Sequence, residues 1–141
     1  MKSFAEILKR HGLKATIQRM SILSIVHSHG HCDVDEIYEK LLLNHPTVSL
    51  ATVYKNIVTM VEEGVLSEVP IAGRKSKYEL KKHDHLHLVC RSCGVVKDME
   101  LDEVMAEKGR KRSIEASFTL ESMQINLYGI CSECKRQTET R

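Results

Sequence analysis

A chain of 141 residues that is 42% hydrophobic and 28% charged can bury one ordinary core or two small ones, and its seven glycines and two prolines are too few for a disordered or low-complexity polymer. No stretch approaches the ~20 apolar residues of a membrane span. The segment from Met1 to Gly12 breaks up Phe4, Ile7 and Leu8 with Lys2, Glu6, Lys9 and Arg10, unlike a secretory signal. The expectation is a cytoplasmic protein with no membrane association, in which clustered cysteines are reduced and read as metal ligands.

The net charge of +2 is too small to announce a nucleic-acid binder, but its distribution is uneven. Residues 1–82 carry 12 basic against 9 acidic side chains, whereas residues 83–141 carry 9 against 10. Near the start, Lys2, Lys9, Arg10, Lys14 and Arg19 face only Glu6, a local excess suited to phosphate contact. On charge alone a solvated helix face explains it equally well.

In chain order, Phe4, Ile7 and Leu8 form one helical stripe that Gly12 ends. Thr16 can cap a second helix carrying Met20, Leu23 and Val26 toward a core. A third begins near Asp33, with Ile37, Tyr38, Leu41 and Leu42 on one face, and stops before Pro46. Ser49 can cap a fourth, in which Val53, Ile57, Met60 and Val61 point inward until Gly64. Val65 to Val69 and Ser76 to Leu80 then read as two strands joined across Ala72, Gly73, Arg74 and Lys75, a turn with exposed basic residues.

Helices followed by a basic-tipped hairpin describe a winged helix. In that arrangement the helix before the wing, Ser49 to Glu63, reads DNA, and its polar face offers Ser49, Thr52, Tyr54, Lys55, Asn56 and Thr59 to phosphates and base edges. Lys14, Arg19, Arg74 and Lys75 would add phosphate contacts. The second half reads differently. His85 to Cys90 and Val95 to Leu101 look like strands, Asp102 to Lys108 like a helix, and Ser117 to Tyr128 like one long strand. Its apolar stretches are few, and such a small sheet commonly gains stability from a metal or a partner subunit. The fold class expected is α+β: a winged-helix domain over 1–82, then a small α/β domain over 83–141.

Two constellations carry chemistry. Cys90-Arg91-Ser92-Cys93 and Cys131-Ser132-Glu133-Cys134 each place two thiolates on a tight turn, and four thiolates make a closed tetrahedral zinc site. The intervening 37 residues exceed those of a compact zinc ribbon, so a zinc ion here would fasten a terminal segment back onto the sheet. A redox pair is the alternative, but neither CxxC opens a helix after a βαβ pattern. Cys32 is left over and reads as an ordinary small side chain.

The second constellation is His83-Asp84-His85-Leu86-His87. On a strand His85 and His87 project to one face, where both imidazoles can reach one ion. His83 shares that face unless the strand starts only at His85. Glu79 and Asp98 supply nearby carboxylates, and mixed imidazole and carboxylate sites suit Fe(II), Mn(II) or Zn(II). A solvated histidine-rich loop is the competing reading. The chain has no HExxH pair, no phosphate-cradling glycine loop and no GxSxG nucleophile, and the order His-Asp-His-x-His is not that of a metallo-β-lactamase. An enzyme is not expected.

The run Ser49-Leu50-Ala51-Thr52-Val53-Tyr54-Lys55-Asn56-Ile57, taken with Lys14-Ala15-Thr16-Ile17-Gln18-Arg19, His85-Leu86-His87-Leu88-Val89-Cys90 and the two CxxC pairs, resembles the ferric uptake regulator family from about residue 5 to 136. That resemblance implies a homodimer in which the second half dimerises. It also implies a regulatory Fe(II) or Mn(II) between the two halves of each subunit, held by His31, Glu79, His85, His87 and Asp98, and a structural zinc on Cys90, Cys93, Cys131 and Cys134. His31 enters only through the resemblance. The implied partner is a double-stranded, two-fold symmetric, A·T-rich DNA operator, and the implied role is transcriptional repression.

Within the family, an aspartate at the place of Asp98 resembles the peroxide-sensing branch, where Fe(II) and hydrogen peroxide oxidise a ligand histidine, here His31 or His85. Glu79 departs from that branch, which often has aspartate there, and keeps an iron-uptake regulator using Fe(II) as corepressor as the alternative. A zinc-uptake regulator is disfavoured because no spare cysteine lies near His85. A third metal site known in some members is expected to be absent, since Met123 and Leu86 stand at two of its ligand places. Outside the family, a metal-storage or chaperone module would need the metal sites but not the basic front half, and would bind no DNA.

Overall fold

The first four helices each begin where a short polar side chain can take up an exposed backbone amide. In the computed structural model, which describes residues 3–139, Ser3 accepts from the amide of Glu6 and opens α1 (Phe4–Arg10), and Thr16 accepts from that of Arg19 and opens α2 (Ile17–His29). Asp33 and Glu36 form a reciprocal capping box at the start of α3 (Val34–Leu42), and Ser49 accepts from Thr52 to open α4 (Leu50–Glu62). Each such cap is worth about 1 kcal/mol against alanine. After α4, Gly64 takes φ 81°, which lets the amide of Val65 bond back to Met60 at 2.8 Å and turns the chain sharply.

The chain divides into two units at the bond between Lys81 and Lys82. In the first, Leu8, Ile22, Leu23, Val26, Ile37, Leu41, Val53, Ile57 and Met60 form one buried core. Met20 is half-buried and packs against this core as expected, and Ile22, not among the residues expected there, is fully buried beside it. The reason is that α2 packs against α1, α3 and the hairpin, so its buried stripe is wider than one row of side chains.

The hairpin follows, with β1 (Leu66–Val69) antiparallel to β2 (Lys77–Leu80) and Leu66 opposite Leu80. Its wing is wider than the sequence suggested, because Pro70 has no amide proton with which to extend the ladder. Cys32, between α2 and α3, adds a single antiparallel bridge to Tyr78, with N···O distances of 3.1 and 2.7 Å. The first unit is a winged helix.

The second unit is a small α/β assembly of β3 (His85–Cys90), β4 (Val96–Glu100), α5 (Glu103–Glu115), β5 (Gln124–Gly129) and α6 (Ser132–Glu139). The strand order is β4-β3-β5, with β3 antiparallel to β4 and parallel to β5. Three expectations are corrected here. The helix runs past Gly109 to Glu115 because that glycine is a contact point and not a stop: a Cβ there would lie 2.4 Å from Cε of Met123. The long strand from Ser117 shrinks to Gln124–Gly129, because Ser117 turns at φ 53° and Phe118 bonds back to Ser113, leaving only the six residues that pair with β3. A final helix, α6, was not anticipated, since it is polar throughout and only Cys134 is buried among its described side chains. No helix among the described residues is long and apolar enough to cross a membrane.

Candidate metal centres and nucleic-acid interface

The four clustered cysteines lie at matching ends of neighbouring strands. Cys90 closes β3, Cys93 follows in its tight turn, and Cys131 and Cys134 flank the start of α6 just beyond β5. Their sulfurs all lie within 4.8 Å of one another, with Cys93 and Cys131 at 3.8 Å. A tetrahedron with metal–sulfur bonds of about 2.3 Å has edges of roughly 3.8 Å, so the spacing fits zinc.

Backbone amides are aimed at these sulfurs. Cys93 and Cys131 donate to Cys90 Sγ at 3.5 and 3.3 Å, and Cys134 donates to Cys131 Sγ at 3.5 Å. The amides of Cys93 and then Cys131 push the Cys90 thiol down to about 6. Cys134 is pushed up to about 12: the Ser92 hydroxyl favours its thiolate, but the sulfurs of Cys131, Cys93 and Cys90 outweigh it. Cys90 thus ionises readily while Cys134 resists, and a cation among the sulfurs would favour the thiolate at both.

A second donor cluster lies on the opposite part of the same sheet. His85 and His87 share one face of β3, and the antiparallel register sets Asp98 of β4 opposite His87. The two Nε2 atoms are 2.8 Å apart, and Asp98 Oδ1 is 3.2 Å from that of His87 and 3.5 Å from that of His85. The other ring nitrogens fix the protons. His85 Nδ1 donates to the carbonyl of His83 and His87 Nδ1 donates to Asn126 Oδ1, both at 2.9 Å. Two imidazole nitrogens and a carboxylate oxygen therefore converge, with His87 fully buried. Such a cluster can hold a cation, since oriented imidazoles of this kind are how proteins present ligands.

His83 stays outside this group, because β3 begins at His85 and His83 is exposed. Asp84 is also exposed and accepts the amide of Met123 at 3.2 Å, fixing the entry to β5. In the first unit, the bridge between Cys32 and Tyr78 brings their neighbours His31 and Glu79 together. His31 Nε2 stands 2.8 Å from Glu79 Oε2, both largely buried. Each unit thus carries its own partial set of imidazole and carboxylate donors.

Ser49, Thr52, Tyr54 and Lys55 are exposed along α4, whereas Asn56 and Thr59 are half-buried. Arg19 ties this face to α2: its Nε donates to Asn56 Oδ1 and an Nη donates to the carbonyl of exposed Lys14, both at 3.1 Å. Arg74 and Lys75 sit exposed on the wing, Lys75 pairing with Asp35 at 2.6 Å. Lys9 and Arg10 are exposed on α1, and Lys2 lies outside the described residues.

Two residues escaped sequence reasoning, Asn126 and Lys82, whose ammonium pairs with Asp98 Oδ2. Neither belongs to a spacing motif, and Asn126 meets His87 only through a parallel pairing across 39 positions.

The model of the ferric uptake regulator family matches residues 10–128. The peroxide-responsive repressor PerR of Staphylococcus saprophyticus is 33% identical over 132 residues, covering 91% of this chain and 86% of that protein. Among solved structures, the Campylobacter jejuni peroxide stress regulator is 32% identical with a TM-score of 0.75, covering 95% of this chain and all of that one. The Vibrio cholerae ferric uptake regulator is also 32% identical, with a TM-score of 0.72 over 90% of this chain and 98% of that one. These relatives are regulators and not enzymes. With its winged helix and its two kinds of metal-donor cluster, the chain belongs to the ferric uptake regulator family of metal-responsive transcription regulators.

Proposed function

We propose that the protein is a cytoplasmic, homodimeric repressor that binds operator DNA and releases it on exposure to hydrogen peroxide. The observation that carries this reading is the pair of incomplete donor sets, His31 with Glu79 in one unit and His85, His87 and Asp98 in the other. Neither alone satisfies a divalent ion, and a single ion taking donors from both would favour one arrangement of the DNA-binding unit over others. When bound, Fe(II) supplies the electrons that activate hydrogen peroxide, and ligand imidazoles, His31 or His85, are the groups oxidised. Loss of an imidazole donor then frees the DNA-binding unit.

Other residues take the remaining roles in this reading. Cys90, Cys93, Cys131 and Cys134 hold a structural zinc, since four thiolates leave no open coordination position. Exposed Val104, Ile114, Phe118, Leu127 and Tyr128 in the second unit support a dimer interface there. Ser49, Thr52, Tyr54, Lys55 and Asn56 read the operator, and Lys14, Arg19, Arg74 and Lys75 contact phosphates. Likeness to the S. saprophyticus repressor and to the C. jejuni regulator supports the peroxide branch. Glu79 and the equal identity to the V. cholerae regulator favour the alternative, an iron-uptake regulator with Fe(II) as corepressor.

The test is operator binding by the Fe(II) and Mn(II) forms before and after brief low-dose peroxide, with mass spectrometry of the peptides holding His31 and His85. Binding lost only in the iron form, with oxygen added to a histidine, supports peroxide sensing. Retained binding with intact histidines moves the protein to metal homeostasis, and no operator protection with any divalent metal removes the repressor reading.

A further inference from the structure

The two oxygens of Asp98 are committed differently. Oδ1 faces the Nε2 atoms of His87 and His85 at 3.2 and 3.5 Å, whereas Oδ2 is held by the ammonium of Lys82. Lys82 is the residue that begins the second unit, and no donor set includes it. We propose that Lys82 is a positioning residue that holds Asp98 to one-oxygen ligation of the regulatory cation and so keeps a coordination position open for a small ligand such as peroxide. This rests on the reading of His85, His87 and Asp98 as metal ligands.

A carboxylate can chelate a divalent ion through both oxygens only if both have lone pairs free to face it. With an ammonium on Oδ2, chelation would bring two cations against the same oxygen and break a charge-assisted hydrogen bond. The carboxylate therefore offers Oδ1 alone. Lys82 and Asp98 are 42% and 34% exposed, so the pair adds little to stability and its removal leaves the fold intact.

Lys82→Met keeps the length of the side chain and removes its charge and its donors. We expect it to raise Mn(II) affinity by roughly tenfold, the scale on which outer-sphere partners act, and to change the EPR spectrum of the bound ion. Under peroxide, histidine oxidation in the Fe(II) form should slow, because the released oxygen takes the open position. Lys82→Arg, which can still hold Oδ2, should match the unaltered protein. Lys97→Met removes the same charge from the neighbouring position on the other face of β4 and should change nothing.

If K82M and the parent bind Mn(II) alike with identical spectra, Lys82 is only a surface charge and the proposal fails. If K97M raises affinity as much as K82M, the effect is net charge and the proposal fails equally. His87→Ala separates the underlying reading: if it leaves Mn(II) binding unaltered, these residues are not ligands and both readings fall.

Discussion

His87 and Asn126 stand opposite each other across the parallel pairing of β3 and β5, and the imidazole Nδ1 donates to the amide oxygen at 2.9 Å. That bond decides which nitrogen of His87 carries the proton. Asn126→Leu removes the acceptor at similar size. It is expected to weaken Mn(II) binding by about 10- to 100-fold while leaving zinc content and dimerisation unaltered. Asn126→Asp, a stronger acceptor, should keep or tighten binding. Titration calorimetry with parallel zinc analysis checks both.

Removal of the structural zinc should act on the second unit. Its buried apolar set is small, Leu86, Val89, Val96 and Ala106, and two of its other buried side chains are Cys90 and Cys134, proposed above as zinc ligands. Cys134→Ser, or treatment with a strong chelator, should abolish the dimer and the protection of amides in β3 and β5 from hydrogen exchange. Amides of α2 and α4 should stay protected. Sedimentation and exchange mass spectrometry would show it, and a zinc-free protein that remained dimeric would refute the structural role.

Arg19 and Asn56 should act as one element in DNA binding. Because Arg19 Nε holds Asn56 Oδ1, each alanine substitution disturbs the other side chain. Operator affinities of R19A, N56A and the double variant should show a coupling of about 1 kcal/mol. Lys55, exposed on α4, should behave independently: K55A is expected to reduce the salt slope of binding by roughly one. Additive losses at 19 and 56 would contradict the coupling.

Cys32 is fully buried in the core of the first unit, and burial, followed by the charge of Glu36, pushes its thiol from 9.0 up to about 11. Between those values the unfolded chain has lost the proton that the folded one keeps, so stability falls as pH rises from about 9 to 11, by up to about 3 kcal/mol. Below pH 9 both states are protonated and the contribution is flat. Denaturant titrations across that range should show the slope, and Cys32→Ala should reduce it between pH 9 and 10, leaving above pH 10 the part due to Tyr78, which burial pushes up to about 12. At neutral pH the thiol should resist alkylation until the unit unfolds.

The first unit was legible because its signals are local. Thr16, Asp33 and Ser49 each stand just before an apolar repeat, and Gly64 follows one, so caps and periodicity agree on where the helices run. In the second unit the deciding contacts are distant. The helix expected over Asp102 to Lys108 runs on to Glu115 through Gly109, whose place against Met123 no local signal shows, and the start of β5 depends on the length of β3. The cysteine cluster was readable from spacing, as were His85 and His87 as neighbours on one face. The pairing of His31 with Glu79 depends on a single bridge between Cys32 and Tyr78 that no periodicity signals.

The parallel pairing of β3 with β5 also sets a timetable for refolding. Parallel neighbours need a long crossover, here β4 and α5, and such non-local pairings form slowly. The winged helix, built from adjacent helices and a hairpin, has no comparable delay. A denatured chain diluted into buffer should therefore recover its first unit quickly and wait for the second, until zinc captures the Cys90–Cys93 turn and the Cys131–Cys134 turn together. Scarcity of zinc would then yield chains with a finished DNA-reading head and an unfinished second unit.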